Sequence, residues 1–422
     1  TINYHLAGLL DTIDALYTRY NTLLNENGYG QRYELGNAQM FVIEGMDKVR
    51  DIIRKNREHK LTKHKKLSNN TIIEIDNCSP LEMLKLQKNL SRIADGEGIE
   101  FVTGKGKKKP EIQQIYEELE ECGRRLMKYK ECFEIMGGDR NSYSKTDLEA
   151  TFMRMKEDAM LNGQLKPGYN IQFAVDAEYV VWTGESPWPT DVKTLIPFLE
   201  DLREHLGSNY RKIVADAGYE SEENYEYLLK NGMISFIKPN NYEISKKHSF
   251  QNAIWRRENM AYDAATDSYL CANGKQVKCE GTKKRKSRSG YVIENTVYAC
   301  HDCTGCPYKK DCIRGNNSKQ PLEQREKHFE VSKRLLELRA EDKERITSEE
   351  GKLLRMNRSI QAEGAFADVK ETQLFRRFLG TGHLNALTET VICVLAHNFN
   401  KLHHKIQNGT QGRYLFPLQK LA

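Results

Sequence analysis

KIVADAGYES, residues 212–221, runs apolar residues straight into an aspartate and then into Ala-Gly-Tyr. Ile213, Val214 and Ala215 read as a short buried strand. Aspartate is a poor strand former, so Asp216 marks the end of that strand. At the C-terminal edge of a sheet strand a carboxylate can face the crevice where α/β folds bind ligands. Gly218 is expected to let the backbone turn sharply. A plain capping role for Asp216 is the competing reading, but Ser221 is better placed to cap the next helix.

The flanking sequence supports an α/β fold. ATFMRM, residues 150–155, reads as a short strand. In YNIQFAVDAEYVVWTGE, residues 169–185, Ile171, Phe173 and Val175 alternate, DAE makes the turn, and Tyr179 to Trp182 return: a hairpin. TDVKTLIPFLEDLREHL follows as a helix with Thr190 as N-cap, then strand KIVAD, helix SEENYEYLLKNG and strand ISFIKP. This order predicts a mixed sheet flanked by helices.

The 422-residue chain divides into four expected regions. Residues 1–140 read as a helical N-terminal region, with Leu9, Ile13, Leu16, Tyr20 and Leu23 at helical spacing and Met46, Val49, Ile52 and Ile53 continuing the habit. Pro80 is placed for a first helical turn, and a further helix is expected at about 111–135. Residues 141–240 hold the first part of the sheet, 241–340 a basic insertion rich in Cys, and 341–422 a helical completion. The last helix carries Leu384, Leu387, Val391, Val394, Leu395, Phe399 and Leu402.

The formal charge is +6, a mild bias. Its distribution says more: KGKKKP at 105–110 and KKRKSR at 283–288 are dense basic loops able to neutralise phosphates. No run of about 18 apolar residues offers a membrane span, and no signal peptide is read. Thr1 in place of Met suggests a missing native N-terminus. Ten cysteines are present, six of them within 271–312. In a reducing compartment such clustering points to metal binding rather than disulfides.

One carboxylate does little with a divalent ion; a pair of ions needs several carboxylate oxygens. Early partners for Asp216 are Asp147, in KTDLEATF, and Asp176, in the expected hairpin turn, where Asp is common for ordinary reasons. Asp147 would begin the first strand, with Glu149 on the same side. The late candidate is Glu363, with an ordinary amphipathic helix carrying surface charges as the competing reading. Lys370 lies nearly two helical turns on and so shares its face, while Phe366 and Val369 supply a buried one.

TDLEATFMRM, GYNIQFAVD, VADAGYES and AEGAFADVK…RRFLGTG, in this order, resemble the DDE transposases of bacterial insertion sequences, over roughly residues 110–410. The resemblance implies an RNase H-like catalytic fold in which Asp147, Asp216 and Glu363 hold two Mg²⁺ (or Mn²⁺) ions. It also implies DNA cleavage and strand transfer at element ends, with terminal inverted repeats and target DNA as partners. A homo-oligomer on those ends and a cytoplasmic, nucleoid location follow. Leu148 and Glu149 depart from a Thr-Asp-Pro-Asp-Ala-like motif. Related transposases carry Tyr-x2-Arg-x3-Glu-x6-Lys; Glu363 and Lys370 fit its last spacing, whereas Met356 and Ser359 occupy its first two positions. Arg358 or Arg355 is the substitute cation. Lys370 and Arg358, with Lys283, Lys284, Arg285 and Lys286 of the basic loop, are the expected phosphate contacts. The rival readings are a catalytically inactive, transposase-derived DNA-binding protein and an RNase H-like nuclease acting on RNA–DNA hybrids.

The cysteines run Cys271-x7-Cys279, then Cys300-x2-Cys303-x2-Cys306-x5-Cys312. Zinc takes four S or N ligands in a tetrahedron, and short C-x2-C turns supply two at once. Cys303, Cys306 and Cys312 are three expected ligands of a structural Zn²⁺; the fourth is Cys271 or Cys300, and the resemblance favours Cys271. His301 reads as a bystander.

Overall fold

The structure is a computed structural model. It describes residues 2–35, 78–104, 106–137, 140, 142–155, 163–287, 289–314 and 320–413. The expected helical positions Met46, Val49, Ile52 and Ile53 lie outside the described residues. The chain forms two compact units, Thr1–Tyr143 and Ser144–Ala422.

The first unit is helical. Helices Ile2–Glu26, Pro80–Glu97 and Glu111–Met136 bury Leu9, Ile13, Leu86, Leu90 and Ile115 among one another. Burying each such side chain contributes about 1.5–3 kcal/mol. The second helix starts as its sequence predicts, with Pro80 in the first turn and the Ser79 hydroxyl accepting from the Glu82 N–H.

In the second unit β1 (Thr151–Arg154) pairs antiparallel with β2 (Leu165–Gly168). β3 (Asn170–Asp176) and β4 (Tyr179–Ser186) form the expected hairpin. Ala177 and Glu178 both take positive φ (49° and 75°) at its turn, the geometry that matches strand twist in a two-residue loop. β5 (Lys212–Ala215) and β6 (Ile234–Ile237) pair in parallel, joined by the Glu222–Lys230 helix, which Ser221 caps. Among the described residues these three pairs do not join into one sheet. Leu195, Leu199, Tyr225, Leu228, Ile237 and Leu338 form the core beside β5 and β6.

Residues 261–331 build a five-stranded antiparallel sheet in the order β11-β10-β9-β8-β7. The strands are β7 (Ala261–Asp263), β8 (Ser268–Leu270), β9 (Gln276–Lys286), β10 (Val292–Cys300) and β11 (Lys327–Val331). The expected basic loop is therefore mostly strand: Lys283, Lys284, Arg285 and Lys286 end β9, all exposed. Its tip docks on the Glu222–Lys230 helix, where the Tyr291 hydroxyl donates to Glu222 at 3.0 Å. Helices Lys333–Thr347 and Glu349–Arg358 follow. The second continues through wider turns at Ser359–Glu363 and Asp368–Thr372.

Three local expectations change. Thr190 makes no side-chain cap; a short turn, Asp191–Lys193, intervenes before the Leu195–Leu206 helix. Asp147 sits in a bend ahead of β1, not in it. The last helix, His383–Gln407, buries Ala386, Thr390, Val394 and His397 and leaves Leu384 and Phe399 exposed, because polar side chains on its packed face bond inward. His397 there bonds Asp368 at 2.7 Å, and Asn398 both donates to and accepts from the main chain of Val180.

Candidate active site

Asp216 directly follows β5 and caps the short turn Ala217–Tyr219, so the capping reading is met beside the strand-end one. Its carboxylate accepts from the Ala217 N–H at 2.9 Å, and its side chain remains 55% exposed. Gly218 takes no positive φ; its place is a matter of room, since a Cβ would meet Asp191 Oδ2 at 2.7 Å and push that side chain aside. Asp191 is itself held, by the Asn170 side-chain amide at 2.9 Å. The next residue but one, Glu220, is buried and anchors the turn through Arg339 (2.6 Å) and the Asn240 N–H (2.8 Å).

Glu363 comes from the helical segment that follows Arg358 and is 68% exposed. The Arg358 guanidinium lies 3.6 Å from Asp216 and 3.8 Å from Glu363, so one cation gathers two acids that are distant in sequence. Phe366, one turn on, stacks on Phe173 of β3 with ring centroids 4.1 Å apart, and Ala365 and Val369 are buried. This packing fixes the helix against the hairpin and sets where Glu363 emerges.

Asp147 is held by different groups. Its oxygens accept from the Tyr169 hydroxyl at 2.6 Å and from the N–H groups of Glu149, Ala150 and Gly382. Burial pushes its carboxyl up, but these hydrogen bonds outweigh burial and hold it below the ordinary carboxylate range. Burial, then the bond to Asp147, pushes the Tyr169 hydroxyl up. Asp147, Asp216, Glu363 and Lys370 all line one cavity, yet Asp147 is not among the groups that meet at Arg358. Asp176 ends β3, as the turn reading had it.

Sequence reasoning missed the ring of groups that holds Asp147. His383 donates its N–H to Glu149 and bonds the buried Glu185 through Nδ1 at 2.6 Å. Burial pushes the Glu185 carboxyl up, against the opposing pull of His383. The only signal in the sequence was the glycine-bearing GTGH at 380–383.

In the sheet of residues 261–331, Cys271, Cys300, Cys303, Cys306 and Cys312 line a second cavity of about 20 Å³. Burial pushes the Cys300 thiol up to about 11. The Cys303 thiol donates to the Cys300 carbonyl at 3.1 Å. Cys279 is exposed and does not line this cavity. His301 bonds Glu326 and Glu280, in keeping with a bystander. Among the described residues no three His, Cys, Asp or Glu side chains stand ready to hold a metal ion. No helix among them is long and apolar enough to cross a membrane.

A family model described as a transposase DDE domain matches residues 270–403, a span that includes Glu363 and Lys370. The match supports a DDE transposase, an enzyme acting on DNA. Comparison with curated proteins found no match, and comparison with solved structures found none.

Proposed function

We propose that this chain is an insertion-sequence transposase that cuts and joins DNA at element ends, with Asp216 and Glu363 as the paired carboxylates of a divalent-metal site and Asp147 as the third acid. The observation that carries the reading is the convergence of Asp216, at the end of a strand, and Glu363 on Arg358; Arg358 and Glu363 lie within the matched residues 270–403 and Asp216 before them. Two exposed carboxylates sharing one positive charge fit a divalent cation. Asp147 fits less directly, since it is held by Tyr169, Glu149, Ala150 and Gly382 and is not one of the acids that meet at Arg358.

Mg²⁺ or Mn²⁺ bound there would polarise a phosphodiester and lower the pKa of the attacking hydroxyl. The chain's own residues do the rest. Asp216 and Glu363 present their carboxylates at one end of the cavity. Arg358, which lies beside both acids, would be free to contact a DNA phosphate if a divalent ion offset their charge. Lys370, on the same cavity, orients a second phosphate without transferring a proton. Lys283, Lys284, Arg285 and Lys286 offer an exposed basic strand to duplex DNA. A structural Zn²⁺ would need Cys303, Cys306, Cys312 and Cys271, with Cys300 as the alternate ligand, to close in from the cavity walls they line, and would then staple the loops between β8 and β9 and between β10 and β11. An RNase H-like arrangement of β3 to β6, and a homo-oligomer on paired ends, belong to the same reading.

The test is Mg²⁺-dependent cleavage of duplex DNA carrying the repeats that flank the coding sequence. Cleavage lost in Glu363→Gln, with DNA binding kept, supports the proposal. Binding without cleavage in the parent chain would instead favour the inactive DNA-binding reading, and cleavage of RNA–DNA hybrids alone would favour the nuclease.

A further inference from the structure

QLFRRFLGTG, residues 373–382, joins the segment that carries Glu363 and Lys370 to the last helix, and it sets large apolar residues beside arginines. Phe375 and Phe378 turn inward. Their rings meet edge to face at 5.4 Å, and Phe378 packs edge to face on Tyr169 at 5.8 Å. Leu379 does the opposite. It is 87% exposed, the most exposed large apolar side chain among the described residues.

Looseness does not explain that exposure. Glu389 of the His383–Gln407 helix accepts from the N–H of Leu379 at 2.9 Å and from that of Gly380 at 2.7 Å. Gly380 lies so close to this helix that a Cβ would meet Asn385 Cβ at 3.0 Å. Gly382, in turn, donates its N–H to Asp147 at 3.3 Å. The main chain is therefore gripped before, at and after Leu379, while the side chain stands in solvent. A leucine held in water forfeits the burial that would have stabilised the fold. Single exposed leucines are ordinary on protein surfaces. This one is clamped beside Asp147, in a loop with two arginines.

Those neighbours point to the partner. Arg376 and Arg377 are exposed and line the cavity that Asp147, Asp216 and Glu363 line. Arg376 is paired with Glu371 at 2.8 Å, but both side chains are in solvent, where such a pair holds weakly. Duplex DNA answers both features of the loop: phosphates for the arginines and a base step for the leucine.

We propose that Leu379 is a wedge that enters a base step beside the scissile phosphate and unstacks it, with Arg376 and Arg377 on the flanking phosphates. The inference rests on the transposase reading for its choice of DNA as the occupant. Opening the step lets the DNA backbone bend more sharply toward the acids. Any apolar side chain of suitable size can fill an opened step, so Leu379 governs distortion rather than sequence.

The test uses the full chain and duplex DNA ending in the repeats that flank the coding sequence, with 2-aminopurine walked through the terminal base pairs. This base brightens when unstacked, and the readout needs neither metal nor cleavage. The parent chain should brighten one position, and Leu379→Ala should not. Affinity should change less than about threefold in that variant, because phosphate contacts carry binding. Leu379→Met should keep the signal. In a cleavage assay Leu379→Ala should cut paired ends about tenfold more slowly, and an abasic site at the brightened position should restore most of the loss. The proposal is overturned if the chain does not bind such DNA, if no position brightens on bound DNA, if Leu379→Ala brightens equally, or if the abasic site restores nothing. Brightening that depends on Leu379 without any cleavage would support the wedge and count against the transposase reading, so the two failures can be told apart.

Discussion

Asp216 and Glu363 share one counter-charge, Arg358, at 3.6 and 3.8 Å. A guanidinium between two carboxylates stands where a divalent ion would offset the same charge. Metal and Arg358 should therefore compete. Arg358→Ala is expected to tighten Mn²⁺ binding by about tenfold, because the ion no longer displaces a resident cation. Cleavage should fall in the same variant, since a phosphate contact is lost. Titration of Mn²⁺ by electron paramagnetic resonance measures the first effect; unchanged or weaker binding would count against the shared site.

Arg339 should matter for stability rather than chemistry. The Glu220 side chain is 1% exposed and depends on Arg339 for its charge partner. Arg339→Met leaves a buried carboxylate unpaired and is expected to cost about 3–5 kcal/mol in urea unfolding. The double change Glu220→Gln with Arg339→Met should recover part of that loss. A cost under about 1 kcal/mol for the single change would show that the pair is not anchoring the turn.

Acid should loosen the sheet of residues 261–331 through Asp267. Lys333, then the hydroxyls of Tyr298 and Tyr262, hold its carboxyl below the ordinary 3.8. A folded pKa below the unfolded one gives stability that is full above the unfolded value and is lost as pH falls through the folded one. Thermal melting between about pH 5 and pH 2 should therefore show a steeper loss in the parent chain than in Asp267→Asn. Parallel curves would remove Asp267 from the account.

The cysteine cavity makes a compositional prediction. The purified chain should carry one Zn²⁺, measured by mass spectrometry of the metal, and Cys303→Ser should lose it. Cys279→Ser should keep it, because Cys279 lies away from the cavity. Metal-free protein whose thiols all react at once would contradict a zinc site.

Much of this was legible in sequence where a local rule acts alone. Ser221 caps its helix, Pro80 starts another, and the DAE turn closes the hairpin. The Asp216 strand end could be found for the same reason, whereas Glu363 was singled out by the resemblance, since its local pattern alone is that of an ordinary amphipathic helix. What stayed hidden depends on distant partners. Nothing near Asp147 signals that Tyr169 and the distant Gly382 will both donate to its Oδ2. Nor does the apolar pattern of the last helix reveal that its packed face is partly polar, because His397 and Asn398 find their partners on other elements. Asp191, next to the expected N-cap Thr190, packs instead against Gly218 and accepts from Asn170, contacts with residues distant in sequence.

The most direct test of the central claim is a crystal structure of the chain with Mn²⁺ and end DNA, read by anomalous scattering. The account predicts manganese between Asp216 and Glu363, Arg358 turned to a phosphate, and Asp147 released from Tyr169. Manganese absent from that pair, with Arg358 still bridging the two acids on bound DNA, would contradict it.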